Sequence, residues 1–175
     1  MRFTRTPEER LRGRVVSVGG FDKDHGFRFH VDDQIVDVLA PDGLSARNPA
    51  RTGSNMKTIQ IPGGSQALKR TELVELRVAG EKPVLLRRPT LIGAILLKAR
   101  ALPVHSQPED QRHDLVSLLA LLDDPGAARE ELSGTERGWL RRIETGLALD
   151  DPALTESFDE ARLRFARAAY QRLID

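Results

Sequence analysis

From Pro89 onward the chain reads as helix alone, while before it short alternating runs are divided by clusters of glycine, proline and aspartate. This break allows an α+β first half followed by a helical second half, and it shows no internal repeat. One helix is expected over 89–102 and a second over about 108–122, stopping at Asp123-Asp124-Pro125-Gly126. A third should cover about 135–149, and the last runs from about Thr155 to the C-terminus. The last helix places Phe158, Ala161, Phe165 and Ala168 on its apolar stripe, with Leu163 as a further member. Its arginines Arg162, Arg164, Arg167 and Arg172 form a solvated face, with RNA contact as the alternative.

The first half opens on Thr6-Pro7-Glu8-Glu9, a capping box with proline in the first turn, and this helix is expected to stop near Gly19-Gly20. Residues 26–31 alternate Phe27, Phe29 and Val31 with Arg28 and His30, as a half-buried strand does. Residues 34–40 are apolar on both faces apart from Asp37, which describes an interior strand paired with the first as a hairpin. A long loop follows over 41–64, with an extended piece near 58–61. Then come a short helix over 65–69 and strands 72–78 and 83–87, turning at Ala79-Gly80-Glu81-Lys82. The organisation expected is an α/β part over 1–88 and a helical part over 89–175.

Composition removes several classes of chemistry. With 175 residues and a formal net charge of +1, the chain has neither the bias of a disordered segment nor that of a polyanion-binding surface. It has no cysteine, so disulfides, thiol nucleophiles and thiolate metal sites are excluded. The four histidines lack metal-ligand spacing. No apolar run reaches membrane-spanning length and the N-terminus has no signal-peptide core. A cytoplasmic protein with no membrane partner is therefore expected.

Three charged residues stand where hydrocarbon is expected. Lys98 shares a helical stripe with Leu91, Ile95 and Leu102, so its amine must find a carboxylate or a phosphate, or reach water on its long stem. Asp37 lies between β-branched neighbours, where a carboxylate calls for a metal, a cation or hydrogen-bond donors. Asp114 lies at the margin of the stripe formed by Leu115, Leu118, Leu119 and Leu122; the alternative for it is a solvated helix face. Two weaker signals accompany them. Ser65 follows Gly63-Gly64 at a helix start, an arrangement that suits anions but lacks a P-loop ending. Arg88, with Arg87, Lys82 and Lys69, makes a small basic patch. Asp22-Lys23-Asp24 reads as a polar turn.

Taken in order, Val-Asp-Val-Leu-Ala-Pro at 36–41, Pro-Gly-Gly-Ser-Gln-Ala-Leu at 62–68, Arg-Arg-Pro-Thr-Leu-Ile-Gly-Ala-Ile-Leu-Leu-Lys-Ala-Arg-Ala-Leu at 87–102 and Asp-Gln-Arg-His-Asp-Leu at 110–115 form a further pattern. Over about residues 7–125 the chain resembles nucleotidyltransferase-like proteins of the AbiEii-type toxin group, in the DNA polymerase β-like superfamily. The resemblance implies a partial nucleotidyltransferase-like antiparallel or mixed sheet followed by a helical bundle. It implies that Asp37 is the third strand carboxylate, positioning a catalytic metal, and that Lys98 reaches the nucleoside triphosphate with Asp114 beside it. Ser65 and Arg88 are the further candidates for holding the nucleotide. The implied cofactors are Mg2+ and an NTP, the implied acceptor a tRNA, other RNA or protein, and the implied partner an antitoxin. The family's Gly-Ser turn and Asp-x-Asp strand have no counterpart, and Gly19-Gly20 with Asp22-Lys23-Asp24 does not substitute for them. Two functions follow: an NTP- and Mg-dependent transferase whose start lies upstream of Met1, or a catalytically inactive nucleotidyltransferase-fold binding or regulatory module. Missing strands would leave a sheet edge for a homo-oligomer to cover.

Overall fold

Val15, Val16 and Val18 favour extended backbone, and strand β1 spans Val15–Gly19. The opening helix therefore does not reach Gly19; its expected start at Thr6 lies outside the described residues. The computed structural model describes residues 15–19, 28–31, 34–44, 58–80, 82–105 and 107–175. They fall into two units, Met1–Gly64 and Ser65–Asp175.

In the first unit, β2 (Arg28–Val31) pairs antiparallel with both β1 and β3 (Gln34–Asp37), in the order β1-β2-β3. The expected hairpin is present, but among the described residues β3 stands at the edge of this sheet and not in its interior. Ile35 is 59% exposed and Asp37 is exposed with it. A run apolar on both faces suits an interior strand, and here it forms four residues at the edge of the described sheet. Strand β4 (Ala40–Pro41) then runs parallel to β5 (Gln60–Ile61). The Thr58 hydroxyl donates to the Val38 carbonyl at 2.6 Å, and the Gly63 amide donates to the Asp42 carboxylate at 3.0 Å. Gly63 has φ +83°, a conformation that glycine adopts without steric cost. Within the expected loop, residues 45–57 lie outside the described residues.

Helix α1 spans Gly64–Lys69, and the antiparallel hairpin of β6 (Thr71–Leu76) and β7 (Val84–Pro89) follows. This hairpin belongs to the same unit as the helices, Ser65–Asp175. The reason is local. The Thr90 amide donates to the Arg70 carbonyl at 2.8 Å, and a Cβ on Gly93 would stand 2.9 Å from that oxygen. The root of the hairpin and the first turn of the next helix are thus pressed together at a position that only glycine fits.

The helices are α2 (Leu91–Ala101), α3 (Pro108–Leu119), α4 (Pro125–Glu130), α5 (Gly134–Arg142), α6 (Glu144–Leu147), α7 (Pro152–Ser157) and α8 (Glu160–Ile174). Their core gathers Ile95, Leu96, Leu115, Val116, Leu119, Leu140, Leu147, Leu163 and Leu173, all essentially without solvent contact. Each such side chain contributes about 1.5–3 kcal/mol of transfer free energy. Tyr170 is buried among them and its hydroxyl donates to the Leu140 carbonyl at 2.7 Å. Burial, with Glu144 nearby, pushes its phenol well above the ordinary range.

Two helical expectations change. The helix expected over 135–149 breaks at Ile143, and α6 ends at Ala148 with φ 41°, a left-handed residue that cannot continue a helix. The last helix begins as α7, and Phe158 then adopts extended backbone before Asp159 caps α8 by accepting from the Arg162 amide at 2.8 Å. The buried stripe of α8 is Leu163, Ala166, Ala169, Tyr170 and Leu173, whereas Ala161, Phe165 and Ala168 are exposed. Phe158 is half-buried and meets His113 edge-on at 5.4 Å. Among the described residues no helix is long and apolar enough to cross a membrane.

Candidate phosphate-binding pair on α2 and α3

Helix α2 starts where the Thr90 hydroxyl accepts from the Gly93 amide at 3.3 Å, so its phase is set by this cap and by the contact of Gly93 with Arg70. With that phase Ile92, Ile95, Leu96 and Ala99 enter the core, and Lys98 lies at the margin of their stripe. Helix α3 buries Leu115, Val116 and Leu119, which leaves Asp114 at its own margin. The Lys98 Nζ and the Asp114 Oδ2 are 2.5 Å apart. The lysine side chain is 31% exposed and the aspartate 51%, so the amine finds a carboxylate while both groups remain open to water. An ion pair this exposed contributes about 0–1 kcal/mol to folding. An incoming anion can therefore open it at little cost.

The other candidates are placed as follows. Arg88 lies on β7 and donates to Glu72 on β6 at 2.9 Å, both side chains being exposed. Ser65 is in the first turn of α1 and half-buried. Asp37 belongs to the first unit, at the end of β3, in register with Arg28. Among the described residues no three His, Asp or Glu groups come together as a metal site.

Three charged residues inside the second unit carry more structural weight than those the sequence singled out. Glu136 has a side chain only 6% exposed, and it receives Arg70 Nη1 and Nη2 at 2.8 and 3.0 Å and the Ser133 amide and hydroxyl at 2.9 and 2.8 Å. Burial pushes its carboxyl up, but the bonds from Ser133 and Arg70 outweigh this and hold it below its usual value. Ser133-Gly134-Thr135-Glu136 is a capping box, so half of this cluster is written in the sequence. Arg112, with its side chain 8% exposed, donates to the Leu147 and Ala148 carbonyls at 3.2 and 3.3 Å and pairs with Glu109 and Asp151 at 2.7 and 2.9 Å. It ties the left-handed turn after α6 to α3. The Ala153 amide and Arg112 hold the Asp151 carboxyl below its usual value. A shallow cleft of about 250 Å3 beside Arg112 is lined by Leu102, Pro103, Arg142, Ile143 and Gly146. The guanidinium of Arg112 is already committed to the four partners named above.

No family model, no curated protein and no solved structure matches the chain.

Proposed function

We propose that this chain is a nucleotidyltransferase-like protein that binds a nucleoside triphosphate through Lys98, with Asp114 as the counter-ion that holds the amine until phosphate arrives. The observation that carries the reading is the exposed Lys98–Asp114 pair at 2.5 Å, on two helices whose buried faces fix both groups. A triphosphate carries several negative charges against the single charge of Asp114, so Coulombic attraction favours exchange of one partner for the other. The binding or regulatory module is the reading preferred here, because the Gly-Ser turn and Asp-x-Asp strand of the family it resembles have no counterpart in the sequence. Transfer of a nucleotide to an RNA or protein acceptor is the second reading, and its motivation is the order of Asp37, Lys98 and Asp114 along the chain.

Equilibrium binding of the four labelled ribonucleoside triphosphates tests the proposal. Lys98→Ala is expected to weaken binding about tenfold or more, the worth of one charge-assisted contact to phosphate. Asp114→Asn breaks the same bridge but removes a repelling charge, so it should tighten binding a few-fold. A merely structural bridge would give both variants the same small loss of stability and no opposite shifts in affinity. If the wild-type protein binds none of the four, or if Lys98→Ala binds as the wild type does, the proposal is wrong. Label appearing on RNA or protein, in magnesium and dependent on Lys98, would replace the module by the transferase.

A further inference from the structure

Among the described residues the β6–β7 hairpin is two strands wide, yet it carries large apolar side chains in the open. Leu73, Leu76, Val84, Leu85 and Leu86 are each at least half exposed. A two-stranded sheet is marginal in water unless a third strand or a packed face supports it. The register divides its side chains cleanly. Glu72 stands opposite Arg88, Val74 opposite Leu86 and Leu76 opposite Val84, so these six residues share one face. That face is apolar over two of its three cross-strand rows and carries one acid and one base on the third.

We infer that this face is a self-association surface, and that its occupant is the same face of a second copy of this chain. The charge pattern selects the second copy. A two-fold axis running parallel to the strands, midway between two sheets packed face to face, places each β6 over the partner's β7 at the same height. Glu72 then faces Arg88 of the partner subunit, and the same contact recurs on the other side of the axis. In the same operation Val74 lies over the partner's Leu86, and Leu76 over the partner's Val84. Every row meets its complement, with no like charges opposed. The opposite face lacks this match, since it would set Leu73 against the partner's Arg87 and Glu75 against the partner's Leu85. The apolar area offered is on the order of a few hundred Å2 per copy. This is below the roughly 800 Å2 per partner of a stable standard interface, so the dimer is reversible and dissociates on dilution.

The test is the molar mass of the full chain by sedimentation equilibrium over a concentration series. The wild type should move from monomer to dimer as concentration rises. Glu72→Arg and Arg88→Glu, each alone, oppose like charges across the axis and should weaken the dimer at least tenfold. An equimolar mixture of the two variants pairs two arginines of one copy with two glutamates of the other and should restore the dimer as a heterodimer. Leu73→Glu, on the opposite face, should associate as the wild type does, and circular dichroism confirms that every variant is folded. A wild type that stays monomeric at its solubility limit overturns the inference. So does a mixture that fails to associate, or a dimer that Leu73→Glu abolishes and Arg88→Glu leaves intact.

Discussion

Replacing Arg70 by alanine is expected to lower the free energy of unfolding by about 3–5 kcal/mol, because it strands a buried carboxylate without its cation. Glu136 is almost fully enclosed, and Arg70 supplies both of the cationic bonds it receives. The same guanidinium also satisfies the Glu131 carbonyl at 3.1 Å. Arg88→Ala provides the contrast: its partner Glu72 is 44% exposed, and loss of that pair should cost about 1 kcal/mol or less. The pH dependence has a definite sign. Glu136 is held below the ordinary glutamate value of 4.5, so its contribution is fully present above that pH and is lost as pH falls through the lowered folded value. The deficit of Arg70→Ala relative to wild type should therefore be largest near neutrality and shrink on acidification below 4.5. Urea titrations of both proteins at neutral pH and in acid would check this. A deficit independent of pH, or one no larger than that of Arg88→Ala, would show that Glu136 does not rely on Arg70.

How much of this could be read in advance depends on the range over which each interaction acts. The hairpin of β6 and β7, the α+β order and the starts of α2 and α3 follow from local signals: alternation, a turn at Ala79-Gly80, and Thr90 and Pro108 at helix entries. That Lys98 needs a counter-charge follows from its place beside Ile95, and α3 supplies that charge. The Arg70–Glu136 pair spans 66 residues, and no local pattern announces which arginine the capping-box glutamate will meet. Arg112 is hidden for a different reason. Its sequence neighbours are polar, so the residue reads as surface, while its stem packs inward and its head satisfies the carbonyls of a turn 35 and 36 residues away. Asp37 reads as part of an interior strand, because a short apolar run looks the same whether or not a further strand lies beside it, and among the described residues none lies beyond β3.

The register of α8 is the sharpest point at which local pattern and packing part. Phe158, Ala161, Phe165 and Ala168 form one helical stripe, and Leu163, Ala166, Ala169, Tyr170 and Leu173 form another. The second is longer, and Tyr170 within it reaches the Leu140 carbonyl, which fixes the rotation of the helix. Leu163→Ala is therefore expected to cost about 2–5 kcal/mol, through lost transfer energy and the cavity it leaves. Phe165 is 52% exposed, so Phe165→Ala should change stability by no more than about 0.5–1 kcal/mol although it deletes the larger side chain. Thermal and denaturant unfolding of the two variants separate the registers directly. If Phe165→Ala proves the more damaging, α8 is rotated from the orientation described, and the bonds of Tyr170 to the Leu140 carbonyl and of Arg167 to the Leu149 carbonyl fall with it.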